Sequence, residues 1–408
     1  PAAGVSSAVP APMNLRLPTE MKLLGTPGAI PFAIMAALNS SSLAVMSTVL
    51  ALKALEQVGN SRNVSLIYMA VAAGTLVTRF AIPQMIRRYR RRWVYTGGIL
   101  AVGLSPLLIA TNTIWGQIAG MTIQVFGGAC ANINLNLYVM DYIAKKDFVK
   151  SEPLKLAFTG LPWALGPTLG VWLYHGLDPW AAYLAAMVFS GATLAYFWFL
   201  RLTDNPTVAA MKRPPPNPLR YLRRFFVEQP RLRLAWLIAF GRDIWWQVLM
   251  IYGPLYVVTK GLPEDYAGYL VSLGLAMLFL GPLHGRIGSR FGLRRSIMTA
   301  FALGAIAMAG VLALYHHPLA ACAVLLIGTG FTTMLDAVGG IPFLRAVHAW
   351  ERPEMTMVYT TFGNAARFAC TAVFSVLLSF FPLESVFIVT GLVMVLFSWL
   401  SRHVPRSM

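Results

Sequence analysis

Three short polar patterns interrupt apolar stretches in the second half of the chain. Asp243, Trp246, Gln247 and Met250 fall at i, i+3, i+4 and i+7, a spacing that places them on one helix face. Thr329, Thr332, Thr333 and Asp336 repeat that spacing. Thr360, Asn364 and Arg367 form a third stripe. A carboxylate in an apolar setting can take up and release a proton, because desolvation penalises its charged form. Asp243 and Asp336 are the two candidates for that chemistry. An arginine in the same setting keeps its proton. Arg367 can therefore hold a ligand carboxylate or phosphate, or neutralise one of the two acids. Arg242 adjoins Asp243 but projects about 100° away along a helix, which makes it a poor partner for that residue.

The first half carries neutral polar groups instead. Asn39 heads the run Asn39-Ser40-Ser41-Ser42, and Gln124, Gly128, Asn132 and Asn136 follow at four-residue steps. Such amides bond a ligand or hold helices together. With Trp246, Gln247, Thr332, Thr333, Asn364 and Arg367, the amides Asn39, Gln124, Asn132 and Asn136 make up the candidate ligand-binding set. No metal site and no cofactor is expected. The 19 Met are scattered, and Met serves as packing filler more often than as a copper ligand. Cys130, Cys322 and Cys370 read as small packing residues without a disulfide framework.

These residues need an apolar scaffold, and the composition supplies one. Hydrophobic residues make up 57% of the 408 and charged residues 12%, against roughly 25% charged in a soluble domain. Apolar stretches near the ~20 residues needed to cross a bilayer recur along the chain. Twelve are read, at 29–56, 64–85, 94–113, 115–142, 154–175, 179–200, 234–258, 266–288, 296–315, 318–344, 355–380 and 384–401. A backbone in lipid must satisfy its own hydrogen bonds, so these segments are helices. Alternating ten-residue strand patterns are absent from the sequence.

The net charge of +18 sets topology. Of 33 Lys and Arg, Arg79, Arg242 and Arg367 lie inside the spans, and Lys53, Arg62 and Lys260 lie near one set of loops. The remaining 27 fall in the opposite loops, beside them, or in the tails. The positive-inside rule makes that side the cytoplasm. This distribution also argues against nucleic acid as a partner and for contact with anionic lipid. The expected organisation is a tail at 1–28, a six-helix bundle at 29–200, a Pro-rich basic linker at 201–233, a second six-helix bundle at 234–401 and a tail at 402–408. Both tails and the linker are expected in the cytoplasm. The linker alternates basic and apolar residues over Leu219–Val227. It is read as a plain charged linker, with a membrane-surface segment as the alternative.

A basic loop recurs at close to half the chain length. Arg87-Arg88-Tyr89-Arg90-Arg91-Arg92-Trp93 is one copy; the other is Ser289-Arg290-Phe291-Gly292-Leu293-Arg294-Arg295. With Gly285-Arg286-Ile287-Gly288 before it, the second copy resembles the loop signature of the major facilitator superfamily. Arg90 stands where that signature has Gly. Arg87 and Ser289 stand where it has Asp. In the fifth span, Gly166-Pro167-Thr168-Leu169-Gly170 is similar to the G-P-x-x-G core found in exporters and antiporters of that superfamily. Its alternative reading is a packing kink. The resemblance implies an all-α membrane protein of two six-helix bundles, with helices 1, 4, 7 and 10 lining a central cavity. It makes Arg79, Arg88, Arg290, Gly166, Pro167 and Gly170 gating candidates.

The expected function is secondary transport of a small organic solute by alternating access. Protons are the expected coupling ion, and G-P-x-x-G favours export. The alternatives are proton-coupled uptake of an organic anion, which Arg367 favours, and a non-transporting assembly factor or sensor on the same fold. Catalysis is not expected, because no nucleophile–base or metal constellation occurs. A monomer in a bacterial inner membrane is the expected state.

Overall fold

The computed structural model describes residues 29–79, 82, 85, 88–142, 148–200, 218–347 and 352–404. Among them there are helices and no strand. Twelve long helices are labelled in chain order. The first half holds α1 (Ala29–Val58), α2 (Ser61–Arg79), α3 (Arg91–Ile109), α4 (Ile114–Tyr142), α5 (Phe148–Gly176) and α6 (Pro179–Phe199). The second holds α7 (Pro230–Thr259), α8 (Asp265–Phe291), α9 (Leu293–Ala313), α10 (Pro318–Ala346), α11 (Phe362–Phe380) and α12 (Glu384–His403). Among the described residues, ten of the twelve are long and apolar enough to cross a membrane.

Local sequence sets several helix ends. Asp178 caps α6 by accepting the Trp180 amide at 2.8 Å, with Pro179 at the first helical position; both are start signals with a mechanism. Between α8 and α9 the chain turns at Gly292 with φ 86°, a conformation that favours glycine. The matching turn before α3 uses Arg90 at φ −62° and ψ 138°. That extended geometry asks for no glycine, which accounts for the arginine in the first basic loop.

In the first half, α1 packs along α5 and α6, α3 along α4 and α6, and α2 along α4. In the second, α9 packs along α10 and α12, and α7 along α11. The halves meet where α5 lies on α8 and α2 on α11. Between helices in lipid, close backbone approach replaces the hydrophobic drive, and small residues permit it. Gly170 shows the limit: a Cβ there would sit 1.9 Å from the Val45 carbonyl oxygen of α1. One at Gly166 would sit 2.5 Å from the Ala44 Cβ.

Two second-half helices are irregular. α7 passes through a π-helical turn at Val248–Tyr252. Pro254 follows, and its missing N–H removes a ladder bond at that point. α10 is broken into Pro318–Thr332, Met334–Val338 and Ile341–Ala346, with Gly339, Gly340 and Pro342 between or within the last pieces.

The end of the linker corrects its reading as a plain charged segment. Pro218–Arg223 is helical and Arg224–Glu228 forms a π turn, so regular structure precedes α7. Phe225 is fully buried in a cluster with Leu232, Phe343, Met355 and Tyr359. Its apolar face therefore packs on protein. Residues 201–217 lie outside the described residues, as do both tails over 1–28 and 405–408.

Candidate functional site

A cavity of about 400 Å³ opens between the halves. α7 contributes Trp246, Gln247 and Met250; α4 contributes Gln124, Gly128 and Asn132. α11 contributes Arg367, the single charged residue in the lining among the described residues. Its size falls in the ordinary range for small-molecule sites of ~300–1,000 Å³, and its mixture of apolar walls with a few polar groups is typical of them.

Neither Asp243 nor Asp336 lines this cavity. Each is tied to a residue that does. The Trp246 indole Nε1 donates to Asp336 Oδ2 at 3.1 Å, joining α7 to α10. The Gln247 amide donates to Asp243 Oδ2 at 3.3 Å within α7. Trp245 points the other way, buried against Gly328 and donating to Thr329 Oγ1 at 3.2 Å. Adjacent tryptophans thus serve different jobs, as the 100° step of a helix requires: one packs α7 on α10 and one faces the cavity.

Asp336 has a second partner. Arg242 Nε lies 3.4 Å from Asp336 Oδ1, and its guanidinium lies over the Phe362 ring at 5.0 Å. The contact is an ion pair without an aligned hydrogen bond, since the Nε–H finds no acceptor in line. The arginine dismissed as a partner for Asp243 is therefore the partner of Asp336, one helix away. The charges of Arg242 and Arg367 both act on Asp243. Among the described residues, the Arg367 guanidinium makes no hydrogen bond or ion pair, while its carbonyl accepts from the Thr371 hydroxyl at 2.8 Å.

The remaining candidates separate. Gln124 and Asn132 line the cavity. Asn39 is buried outside the lining, with its Oδ1 unpartnered. Asn136 is exposed and accepts from Lys155 Nζ at 2.8 Å. Thr332 and Thr333 are buried and donate to Thr329 and Gly330 carbonyls of their own helix, a local bond that competes with ligand contact. Asn364 lies on α11 outside the lining. Arg88 and Arg290 are exposed beside Tyr89 and Phe291. The side chain of Arg79 lies outside what is described. Sequence reasoning missed Tyr68 on α2 and Trp163 on α5, both in the lining. Their signal was an aromatic on a helix that the resemblance gives no cavity role.

The G-P-x-x-G stretch lies where three helices meet. Gly166 and Gly170 face α1, while Thr168 faces α8. Ser272 Oγ accepts the Thr168 amide at 2.9 Å and its hydroxyl at 2.8 Å. Two further links join the halves on the side away from the basic loops. Ser65 and Tyr252 share a hydroxyl bond of 2.9 Å, and His175 pairs with Glu264.

The described residues thus form an all-helical membrane scaffold with a ligand-sized cavity between two halves. A family model for the Major Facilitator Superfamily matches residues 32–334, and the chain belongs to that superfamily. It is 26% identical over 202 residues to the "MFS-type transporter gkaD" of Penicillium citrinum; the match covers 48% of this chain and 33% of that one. The chain thus spans about a third of that relative's length. Its fold is similar to that of nucleoside transporter NupG, with a TM-score of 0.72, 11% identity, and 92% and 98% of the two chains covered. A bacterial homologue of the iron transporter ferroportin in an inward-facing state gives 0.72, with 13% identity and 91% and 97% covered. The protein is accordingly an integral membrane protein of that superfamily.

Proposed function

We propose that this protein moves a small organic solute by proton-coupled alternating access, with Asp336 and Asp243 as the proton carriers. One observation carries the reading. Trp246 and Gln247 are neighbours, both line the cavity, and each donates to a different membrane acid. Occupancy of the cavity and protonation of the acids therefore act on the same two side chains. An ionised Asp336 accepts the Trp246 N–H and attracts Arg242; a protonated one loses the ion pair. A solute that moves the Trp246 ring changes what Asp336 is bonded to. A ligand shifts a conformational equilibrium only through such differential contacts.

In this reading two six-helix bundles, at 29–200 and 234–401, rock about the cavity, and all twelve helices cross the membrane. The links Ser65–Tyr252, Thr168–Ser272 and His175–Glu264 join the halves on the side away from the basic loops, which supports an inward-open reading; the proposed unit is a monomer. The basic loops support a cytoplasmic place for both termini and the linker. The G-P-x-x-G stretch favours export. A second reading, proton-coupled uptake of an organic anion, is supported by the Arg367 guanidinium, which lines the cavity without a hydrogen bond or ion pair among the described residues. Imposing a proton gradient in either sense on liposomes separates the two by the sign of solute flux.

The test uses a small molecule retained by the purified protein, identified by mass, as the solute. Asp→Asn keeps shape and removes the proton. The Asp243→Asn, Asp336→Asn double variant is expected to bind solute, stay folded and lose solute-driven proton movement in liposomes. Unaltered proton movement in that double variant refutes carriage by this pair.

A further inference from the structure

The cavity chemistry specifies a class of solute. Among the described residues Arg367 is its one charged group, and Asp243, on which that charge acts, lies outside the lining. Among the described residues the guanidinium has no hydrogen-bond or ion-pair partner. A second, independent observation points the same way. Gln124 is only 3% exposed and lines the cavity, yet its Nε2 donor bonds nothing. A buried donor left unmade costs free energy, so a ligand acceptor is what that site lacks. Three aromatic rings, Tyr68, Trp163 and Trp246, line the same space. They come from α2, α5 and α7, so the first half supplies two and the second one.

We propose that the solute is a planar aromatic monocarboxylate. Its carboxylate lies on Arg367, which offers a paired-donor fork matched to that group. A further oxygen or a pyridine-type ring nitrogen accepts from Gln124. The ring lies among Trp163, Trp246 and Tyr68, in the offset or edge-on arrangements that aromatic pairs favour. A volume of about 400 Å³ suits one or two fused rings rather than a polycycle. Phosphorylated solutes fit less well, because a dianion would meet one cation. This assignment rests on the transport reading above only in making the cavity a substrate site.

The probes are benzoate, 4-hydroxybenzoate and indole-3-carboxylate, with benzamide, indole-3-carboxamide and acetate as controls. Binding to purified full-length protein is read by tryptophan fluorescence and confirmed by calorimetry. At least one aromatic carboxylate is expected to bind tenfold or more tighter than its amide and than acetate. Arg367→Lys is expected to weaken that carboxylate tenfold or more and leave the amide within threefold. Gln124→Leu is expected to weaken 4-hydroxybenzoate more than benzoate. Melting temperature within a few degrees of wild type keeps each variant interpretable, and Trp163→Leu serves where Arg367→Lys does not fold. Amides binding as well as carboxylates overturns the proposal; so does the absence of binding by the whole panel. Carboxylate binding at Arg367 with intact proton movement in the double Asp→Asn variant refutes the coupling mechanism and leaves the solute class standing.

Discussion

The two halves face one cavity with different chemistry. The first presents Gln124, Asn132, Tyr68 and Trp163 from α4, α2 and α5. The second presents Trp246, Gln247 and Arg367, and behind them Asp243, Asp336 and Arg242. Geometry follows the same division. α1 and α4 run unbroken over Ala29–Val58 and Ile114–Tyr142, whereas α7 contains a π turn and α10 breaks on either side of Asp336. Regular helices hold a fixed wall. Irregular ones leave backbone groups and side chains able to rearrange, and π turns recur at functional sites for that reason. The difference teaches that recognition and coupling need not be spread evenly over a pseudo-symmetric protein. In our reading the first half shapes the site and the second half switches.

The sharpest way to break this comparison is to disturb the rigid half. Gly170→Ala puts a methyl 1.9 Å from the Val45 carbonyl, so α1 and α5 must part. We expect a loss of about 3 kcal/mol or more, at the upper end for overpacking, seen as a collapse in melting temperature and yield. A wild-type melting temperature would mean that the α1–α5 wall is not rigid.

A smaller effect tests the switching half. Arg242→Ala leaves Asp336 with the Trp246 indole alone. Removing one partner of a buried pair costs about 3 kcal/mol, reduced here because the Arg242 and Asp336 side chains keep 17% and 24% exposure. Asp336→Asn added to Arg242→Ala should restore most of that loss in thermal melts. No rescue would show that Arg242 contributes through its packing on Phe362 rather than through charge.

The turn residues give the smallest effect. Gly292→Ala strains a φ of 86° and should cost about 1 kcal/mol. Arg90→Gly at an extended φ of −62° should cost less than about 1 kcal/mol, through added freedom in the unfolded chain. Equal losses would mean that the two loops are not structurally distinct.

Much of this architecture was legible beforehand. Apolar runs near twenty residues gave the helices, because lipid leaves the backbone no other solution. The i, i+3, i+4 stripe of Asp243, Trp246 and Gln247 was also visible, since a helix face is set by period alone. What the stripe could not say was which neighbour each side chain meets. Trp246 reaches Asp336 on α10 rather than sharing Asp243's surroundings, and Arg242 crosses to the same acid. Those contacts depend on helix packing 90 residues away in sequence. The threonines of α10 were ambiguous for a local reason: a hydroxyl can bond its own helix or a ligand, and Thr332 and Thr333 take the first course. Tyr68 and Trp163 left no pattern, because a lone aromatic in an apolar helix looks like packing.

The most direct measurement is the ratio of protons to solute moved in liposomes by Trp246→Phe. Phenylalanine keeps an aromatic face in the cavity and removes the N–H that reaches Asp336. The account predicts solute binding within a few-fold of wild type, solute flux that continues, and a proton-to-solute ratio that falls well below the wild-type value. A wild-type ratio in a folded, binding-competent Trp246→Phe variant would contradict it, because the cavity would then be coupled to the protons without the tryptophan that joins them.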